Sequence, residues 1–363
     1  MGDAGNHVLI VGGSGLVGSA AANSFLRAGW RVTTASRRVP EWVTEAGAAH
    51  ESLDLLSTAD CERVARKGDI THVVYASVYE LPGLIAGWSD PQQIDTNDRM
   101  LRNLLGPLCK HNPIQHITLL QGTKAYGASV RPMRVPARED HPRVEHANFY
   151  WRQEDFLTEM AQQAIFTFTI LRPQLIVGPN YGVVMNLPPV IGAYGAICKY
   201  LGVPLGYPGG ADWVWEAVDV RLVGNACVWA TESPAAENET FNLTNGEVFS
   251  WRDMWPAIAE TLGMTAGPDA PQQLSTFLND HHATWDEIVR LHGLQPIGLG
   301  DLLGESHHYA DLCLNCGADT PPPPTFVSTV KIRQAGFNEV MNSEQSFCYW
   351  LRALQDRGVL PPG

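Results

Sequence analysis

"HVLIVGGSGLVGSAAANSFLRAGWRV" (residues 7–32) decides how this chain folds. An apolar run, Val8 to Val11, stops at glycine and gives way to small and apolar residues at helical spacing. Gly12, Gly15 and Gly18 form a G-x-x-G-x-x-G turn between that strand and that helix. The first two glycines permit a tight turn and close backbone approach. The third lets the helix pack on the strand, and the helix N-terminus faces a pyrophosphate. A plain glycine-rich turn is the competing reading. The strand before, the helix after and a second strand, "RVTTAS" (31–36), favour a dinucleotide site.

Outward from this unit, "HVVYAS" (72–77), "HITLLQ" (116–121) and "FTFTILRP" (166–173) read as strands. Helical periodicity covers 16–28, 59–66, 95–110 and 149–163. Such alternation signals an α/β fold, a Rossmann-type doubly wound parallel sheet. Past Pro173, glycine and proline become dense from 178 to 210, and 215–230 reads as a strand running into a helix. "TFNLTN" (240–245) reads as a further strand. The expected division is a nucleotide-binding domain over 1–175 and an interleaved substrate-binding region over 176–363. About 212–245 is expected to return to the sheet. "TPPPPT" (320–325) reads as a stiff connector.

The 363 residues are 45% hydrophobic and 17% charged, a normal globular balance. A net charge of −13 argues against nucleic acid or an anionic membrane as partner. No apolar run reaches the roughly 18 residues of a membrane span. The N-terminus enters a strand almost at once, so no signal peptide is expected. Seven scattered cysteines then read as reduced thiols in a cytoplasmic setting, and the sequons at Asn238 and Asn242 as chance. Cys313 and Cys316, near His307 and His308, lack the second cysteine pair that zinc favours, so no metal is expected.

The end of the second strand selects the cofactor. NAD sites place an acid there for the ribose 2′-hydroxyl. Here Ser36, Arg37 and Arg38 follow instead, and two guanidiniums suit a 2′-phosphate, pointing to NADP(H). Asp54, after a plausible third strand, is placed to accept the adenine amino group, with an ordinary surface acid as an equal reading.

"NFYWRQED" (148–155) raises the question of a cation. A tyrosine that serves a carbonyl oxygen usually has a lysine at i+4, which lowers the phenol's pKa. Four residues after Tyr150 stands Glu154. Of five lysines, Lys124 in "LLQGTKAYG" lies just past the fifth strand, where a doubly wound sheet opens its ligand crevice. Lys124 is therefore expected to supply the charge, with Tyr126 as a rival phenol.

"GTKAYG" and "NFYWRQED" resemble the signature motifs of the progesterone 5β-reductase and iridoid synthase family, enone 1,4-reductases of the extended short-chain dehydrogenase superfamily. The similarity continues through "ASRR", "THVVYA", "MNL", "AICKY", "NLTNGEVFSWRDMWPAIAETLG" and "NSEQSFCYWL". It implies a catalytic pair at Lys124 and Tyr150 and a small hydrophobic enone or enal as substrate, and it leaves a homodimer open. It also implies a cofactor lining from Ser14, Gly15, Leu16, Arg37, Arg38, Asp54, Leu55, Ser77, Val78, Leu120, Ile176, Val183, Val184 and Met185. Trp151 stands where the family has a second tyrosine, and Leu175 where it has an asparagine. Both are expected to border the nicotinamide or the pocket mouth, with Met185 as a further candidate wall and Phe337 and Phe347 equally open to wall or core. The competing functions are a carbonyl reductase or epimerase of the same fold, and a non-catalytic NADPH-binding sensor.

Overall fold

The computed structural model describes residues 6–40, 43–44, 46–81, 86–163 and 166–363. Its nucleotide-binding half runs β1 (His7–Val11), α1 (Leu16–Arg27), β2 (Arg31–Ser36), β3 (Ala49–Ser52), α2 (Thr58–Ala65) and β4 (His72–Tyr75). It continues through α3 (Pro91–His111), β5 (His116–Leu120), α4 (Phe149–Gln163) and β6 (Thr167–Pro173). Then follow β7 (Leu175–Val177), α5 (Leu187–Tyr200), β8 (Val214–Trp215), β9 (Ala217–Asp219), α6 (Val220–Glu232), β10 (Glu239–Leu243), β11 (Phe249–Ser250) and α7 (Trp251–Thr261).

Seven strands form one sheet in the order β10-β6-β5-β4-β1-β2-β3, and every neighbouring pair is parallel. Helices cover both faces, so β1 and β4 are buried along their whole length. One face packs Val8, Ile10 and Val32 against Phe25 of α1 and Leu222 and Val223 of α6. The other packs Leu9, Val11 and Val73 against Leu101, Leu104 and Leu105 of α3 and Leu157 of α4. From β1 the order runs one way to β2 and β3, and the other way to β4, β5 and β6. A crevice therefore opens beyond the carboxyl ends of β1 and β4.

Within 212–245, β10 forms the edge of the sheet and α6 packs on its face. β8 and β9 instead pair with β11 and β7 in two small separate sheets. A third core, around Tyr194, Trp251, Trp255, Trp285 and Phe347, holds the C-terminal half together. The strands β4 and β5 stop one or two residues earlier than their apolar runs, because the chain turns there into the crevice. Asn242 is fully buried, so that sequon lies inside the fold. Among the described residues, no helix is long and apolar enough to cross a membrane, and no group of three or more His, Cys, Asp or Glu could hold a metal. The seven cysteines are free; Cys313 is buried and Cys316 half-buried.

Candidate active site

A cavity of about 990 Å³ opens beyond the strand ends. Gly12, Ser14, Gly15 and Leu16 line it from the first turn, and Ser36, Arg37, Arg38, Asp54 and Leu55 from the ends of β2 and β3. Ser77, Val78, Leu120, Lys124, Tyr150, Leu175, Ile176, Val183, Val184 and Met185 line its middle.

The glycine turn is built for close approach. Gly12 adopts φ +85°, and its N–H donates to the Ala35 carbonyl at 2.8 Å. A Cβ on Gly12 would sit 2.9 Å from the Ala76 carbonyl oxygen. Gly18 does not line the cavity, and its Cβ would come within 2.2 Å of the Gly12 oxygen, so it sets how closely α1 packs. Gly15 begins α1 without a side-chain cap and no acid stands in the first turn. The first N–H groups are thus left for an anion. At the rim, the Ser36 hydroxyl donates to the Arg38 carbonyl at 2.7 Å and shapes the basic turn. Parallel pairing of β2 with β3 brings Asp54 to the same rim. Residues and turn fit a dinucleotide with its pyrophosphate at the helix end.

Tyr150 and Lys124 come from different elements and are tied by one residue. The Asn148 side chain accepts from the Tyr150 N–H at 3.0 Å and donates to the Lys124 carbonyl at 3.3 Å. Gln121, at the end of β5, donates to the Tyr150 carbonyl at 3.3 Å. The Lys124 ammonium lies 5.9 Å from the Tyr150 ring centre and 4.6 Å from that of Trp88. It donates to Glu80 Oε1 at 3.0 Å, and the Glu80 side chain is 1% exposed.

Electrostatics here differ from the expectation that Lys124 lowers the phenol's pKa. Burial pushes the Tyr150 phenol above its ordinary range, and the Glu80 carboxylate pushes it further. The cation that pulls it back is Arg172. The Lys124 ammonium is itself ion-paired with Glu80 at 3.0 Å. Burial lowers the Lys124 pKa and Glu80 opposes that shift. Glu154 is taken up by other cations: Arg172 binds it at 2.6 Å and Arg143 at 2.7 Å. Tyr126 is not on this cavity. Its hydroxyl donates to Asn242 at 2.6 Å and accepts from Arg172 at 3.1 Å.

Trp151, expected at the pocket mouth, lies elsewhere, and Phe337 and Phe347, for which wall and core were equally open, lie in the core. Trp151 packs edge-on to His146, with the Arg143 guanidinium 4.9 Å from its ring centre. One step along a helix turns a side chain about 100° away from its neighbour's face, so Trp151 cannot share the face of Tyr150. Phe337 packs against Trp229 of α6 in the sheet core, and Phe347 against Trp251 in the C-terminal core.

Sequence reasoning missed Glu80, Trp88, Gln174 and Tyr309, and it read the proline run only as a spacer. Pro322, Pro323 and Thr325 line the cavity, as do Trp213 and Trp215. Gln174 fixes that wall by donating to the Thr325 carbonyl at 2.6 Å while accepting from the Thr123 hydroxyl at 3.0 Å. Glu216 accepts from the Val327 N–H at 2.9 Å, and burial pushes its carboxyl up to about 7. Loop acids and proline runs carry no periodicity, so nothing in the sequence placed them on this wall.

Residues 8–244 match the NAD dependent epimerase/dehydratase family. The (S)-8-oxocitronellyl enol synthase of Nepeta racemosa is 31% identical over 375 residues, covering 97% of this chain and 92% of its own. The chain belongs to that family, in its progesterone 5β-reductase and iridoid synthase-like branch. The (S)-8-oxocitronellyl enol synthase of Antirrhinum majus is likewise similar, at 29% identity over 97% of this chain and 92% of its own. Among solved structures, the UDP-glucose 4-epimerase of Thermus thermophilus, in complex with NAD, shares the fold. Its TM-score is 0.67 at 18% identity, covering 96% of this chain and 99% of that one. The Thermotoga maritima UDP-glucose 4-epimerase gives 0.66 at 15% identity, with the same coverage of both chains. As a member of this branch the protein is an oxidoreductase with a nicotinamide dinucleotide, and the glycine turn is where that group fits.

Proposed function

We propose that this protein is an NADPH-dependent reductase of activated C=C bonds, acting on a small hydrophobic enal or enone by conjugate reduction. One observation carries the reading. Tyr150 and Lys124 line a single cavity that begins at the glycine turn, and the position one helical turn after the tyrosine is an arginine-bound glutamate.

NADPH bound at the glycine turn supplies the hydride. The chain's own residues manage the charge that builds on the substrate oxygen when its β-carbon is reduced. A phenol whose pKa is raised by burial stays protonated and donates a hydrogen bond to that oxygen. The Lys124 ammonium adds positive charge beside it in a site largely shielded from water. Preorganised donors of this kind are worth about 3–4 kcal/mol of barrier. An enolate needs this stabilisation more than the proton relay that an i+4 lysine gives to an alkoxide, so a lysine from another loop suits the chemistry. Arg37 and Arg38 favour the 2′-phosphate of NADPH over NADH. Trp213, Trp215, Leu312, Met133 and Pro322 make the remaining wall mostly apolar, as a hydrophobic substrate requires. The relatives' names describe an enol product, which is what conjugate reduction of an enal leaves once the oxygen is protonated.

Incubation with NADPH and a cyclohexenone-type enone, followed by product analysis, tests this. The saturated ketone is expected. The allylic alcohol as main product would make it a carbonyl reductase, and NADPH binding without turnover of any enone or enal would make it a sensor.

A further inference from the structure

The segment after β4 carries an acid that neither the motif nor the family match assigns. We propose that Glu80 is the positioning residue of the Lys124–Tyr150 pair, holding the ammonium over the cavity beside the tyrosine. The proposal rests on the reading of Lys124 and Tyr150 as the oxygen-binding pair.

Glu80 is not a solvated loop acid. Its side chain is 1% exposed. One carboxylate oxygen accepts from Lys124 Nζ at 3.0 Å, and the other accepts from Gln93 Nε2 at 2.5 Å. Gln93, itself fully buried on α3, also accepts from the Leu81 N–H at 2.8 Å. One turn further along the same helix, Asn97 binds both the N–H and the carbonyl of Tyr79, each at 2.8 Å. Two amide side chains at i and i+4 thus clamp three consecutive residues, with Glu80 in the middle aimed at the lysine. A buried carboxylate needs such partners to remain charged.

The consequences follow from the charges that face the pair. Around the Lys124 ammonium stand the Glu80 carboxylate and the rings of Trp88, Phe149 and Tyr150. Burial favours loss of the lysine's proton, and Glu80 is what opposes that loss. Tyr150 feels Glu80, which favours the neutral phenol, and Arg172 from β6, which favours the phenolate. Removing the Glu80 charge therefore makes both groups lose their protons at lower pH. The donor pair fails from both sides, since the ammonium loses its charge and the phenol its proton.

Glu80→Gln keeps the size and an oxygen for Gln93 but removes the charge. NADPH binding, followed by fluorescence quenching, should be unchanged and also reports folding. Turnover of the enone should fall about tenfold to a hundredfold, and the alkaline limb of kcat should move to lower pH by about one to three units. Glu80→Asp restores the charge at shorter reach and should place the limb between the two; it serves alone if the Gln variant does not fold. A second readout needs no turnover. Lysines are dimethylated with ¹³C-formaldehyde, and the Lys124 resonance, assigned by its absence in Lys124→Met, is titrated by NMR. Its midpoint should be lower in Glu80→Gln, and lower to a smaller degree in Glu80→Asp, than in the parent. An unshifted limb and an unshifted Lys124 midpoint would overturn the proposal. If the parent reduces no enone, the functional reading fails while the NMR titration still decides whether Glu80 governs Lys124.

Discussion

Replacing Tyr150 by Phe removes one hydroxyl from a buried ring and leaves the Asn148 and Gln121 contacts, which go to its backbone, intact. Turnover should drop by about 10²–10³ with NADPH affinity spared, as for loss of a single oxyanion donor. Lys124→Met should cost a similar factor. The double variant should be little worse than the poorer single, because groups acting on one oxygen are not additive. Steady-state kinetics on the four proteins decides this, and clean multiplication of the two losses would assign separate roles. That Lys124 lines the cavity was legible in the sequence, because the end of a strand in a doubly wound sheet borders the ligand crevice whatever the residue. Its partner was not, since Glu80 reaches it through a clamp supplied by a helix that begins at Pro91.

At the level of elements, the glycine turn and the proline-rich wall make opposite points. A Cβ on Gly18 meets the Gly12 oxygen, carbonyl carbon and the Gly13 Cα, all backbone atoms that no rotamer change relieves. Gly18→Ala should therefore destabilise the fold by about 1–3 kcal/mol in urea unfolding and weaken dinucleotide binding. That turn was readable because its spacing alone dictates its geometry. The wall was not, because prolines at 321–324 fix a stiff extended backbone without saying what it lies against. Glu216 fixes it through Val327. Its carboxyl is raised to about 7 by burial, above an ordinary value of 4.5. A group raised in this way contributes stability fully below the unfolded pKa, and loses it as pH rises through the folded one. Relative to Glu216→Gln, the parent should thus lose about 3 kcal/mol of unfolding free energy between pH 4.5 and 7, with no further change beyond. A constant difference between the two proteins across that range would refute the assignment.

For the molecule as a whole, the cavity lies between the sheet's two cores and the C-terminal core, and its lining draws on residues far apart in the chain. Ligand that binds only the folded state at 100 times its Kd stabilises by about 2.7 kcal/mol. NADPH at that level should raise the parent's unfolding free energy by this amount. Arg37→Ala with Arg38→Ala should abolish most of the gain for NADPH at the same concentration and leave the effect of NADH nearly unchanged. Equal losses for both nucleotides, or a parent that prefers NADH, would remove the 2′-phosphate from the reading.

By itself the sequence determined the doubly wound sheet, the glycine turn, the basic rim and the placing of a loop lysine and a helix tyrosine on one cavity. Each rests on local periodicity, or on a residue type at a fixed distance from a strand end. Tertiary structure alone decided which charges meet. It gave Glu154 to Arg172 and Arg143, Tyr126 to Asn242, and Lys124 to Glu80. It also turned Trp151 and Phe337 away from the cavity and brought Pro322 and Pro323 onto it. The reason is that an ion pair inside a protein is fixed by which buried groups lack other partners, and that depends on how helices and loops far apart in the chain pack around the same few ångströms.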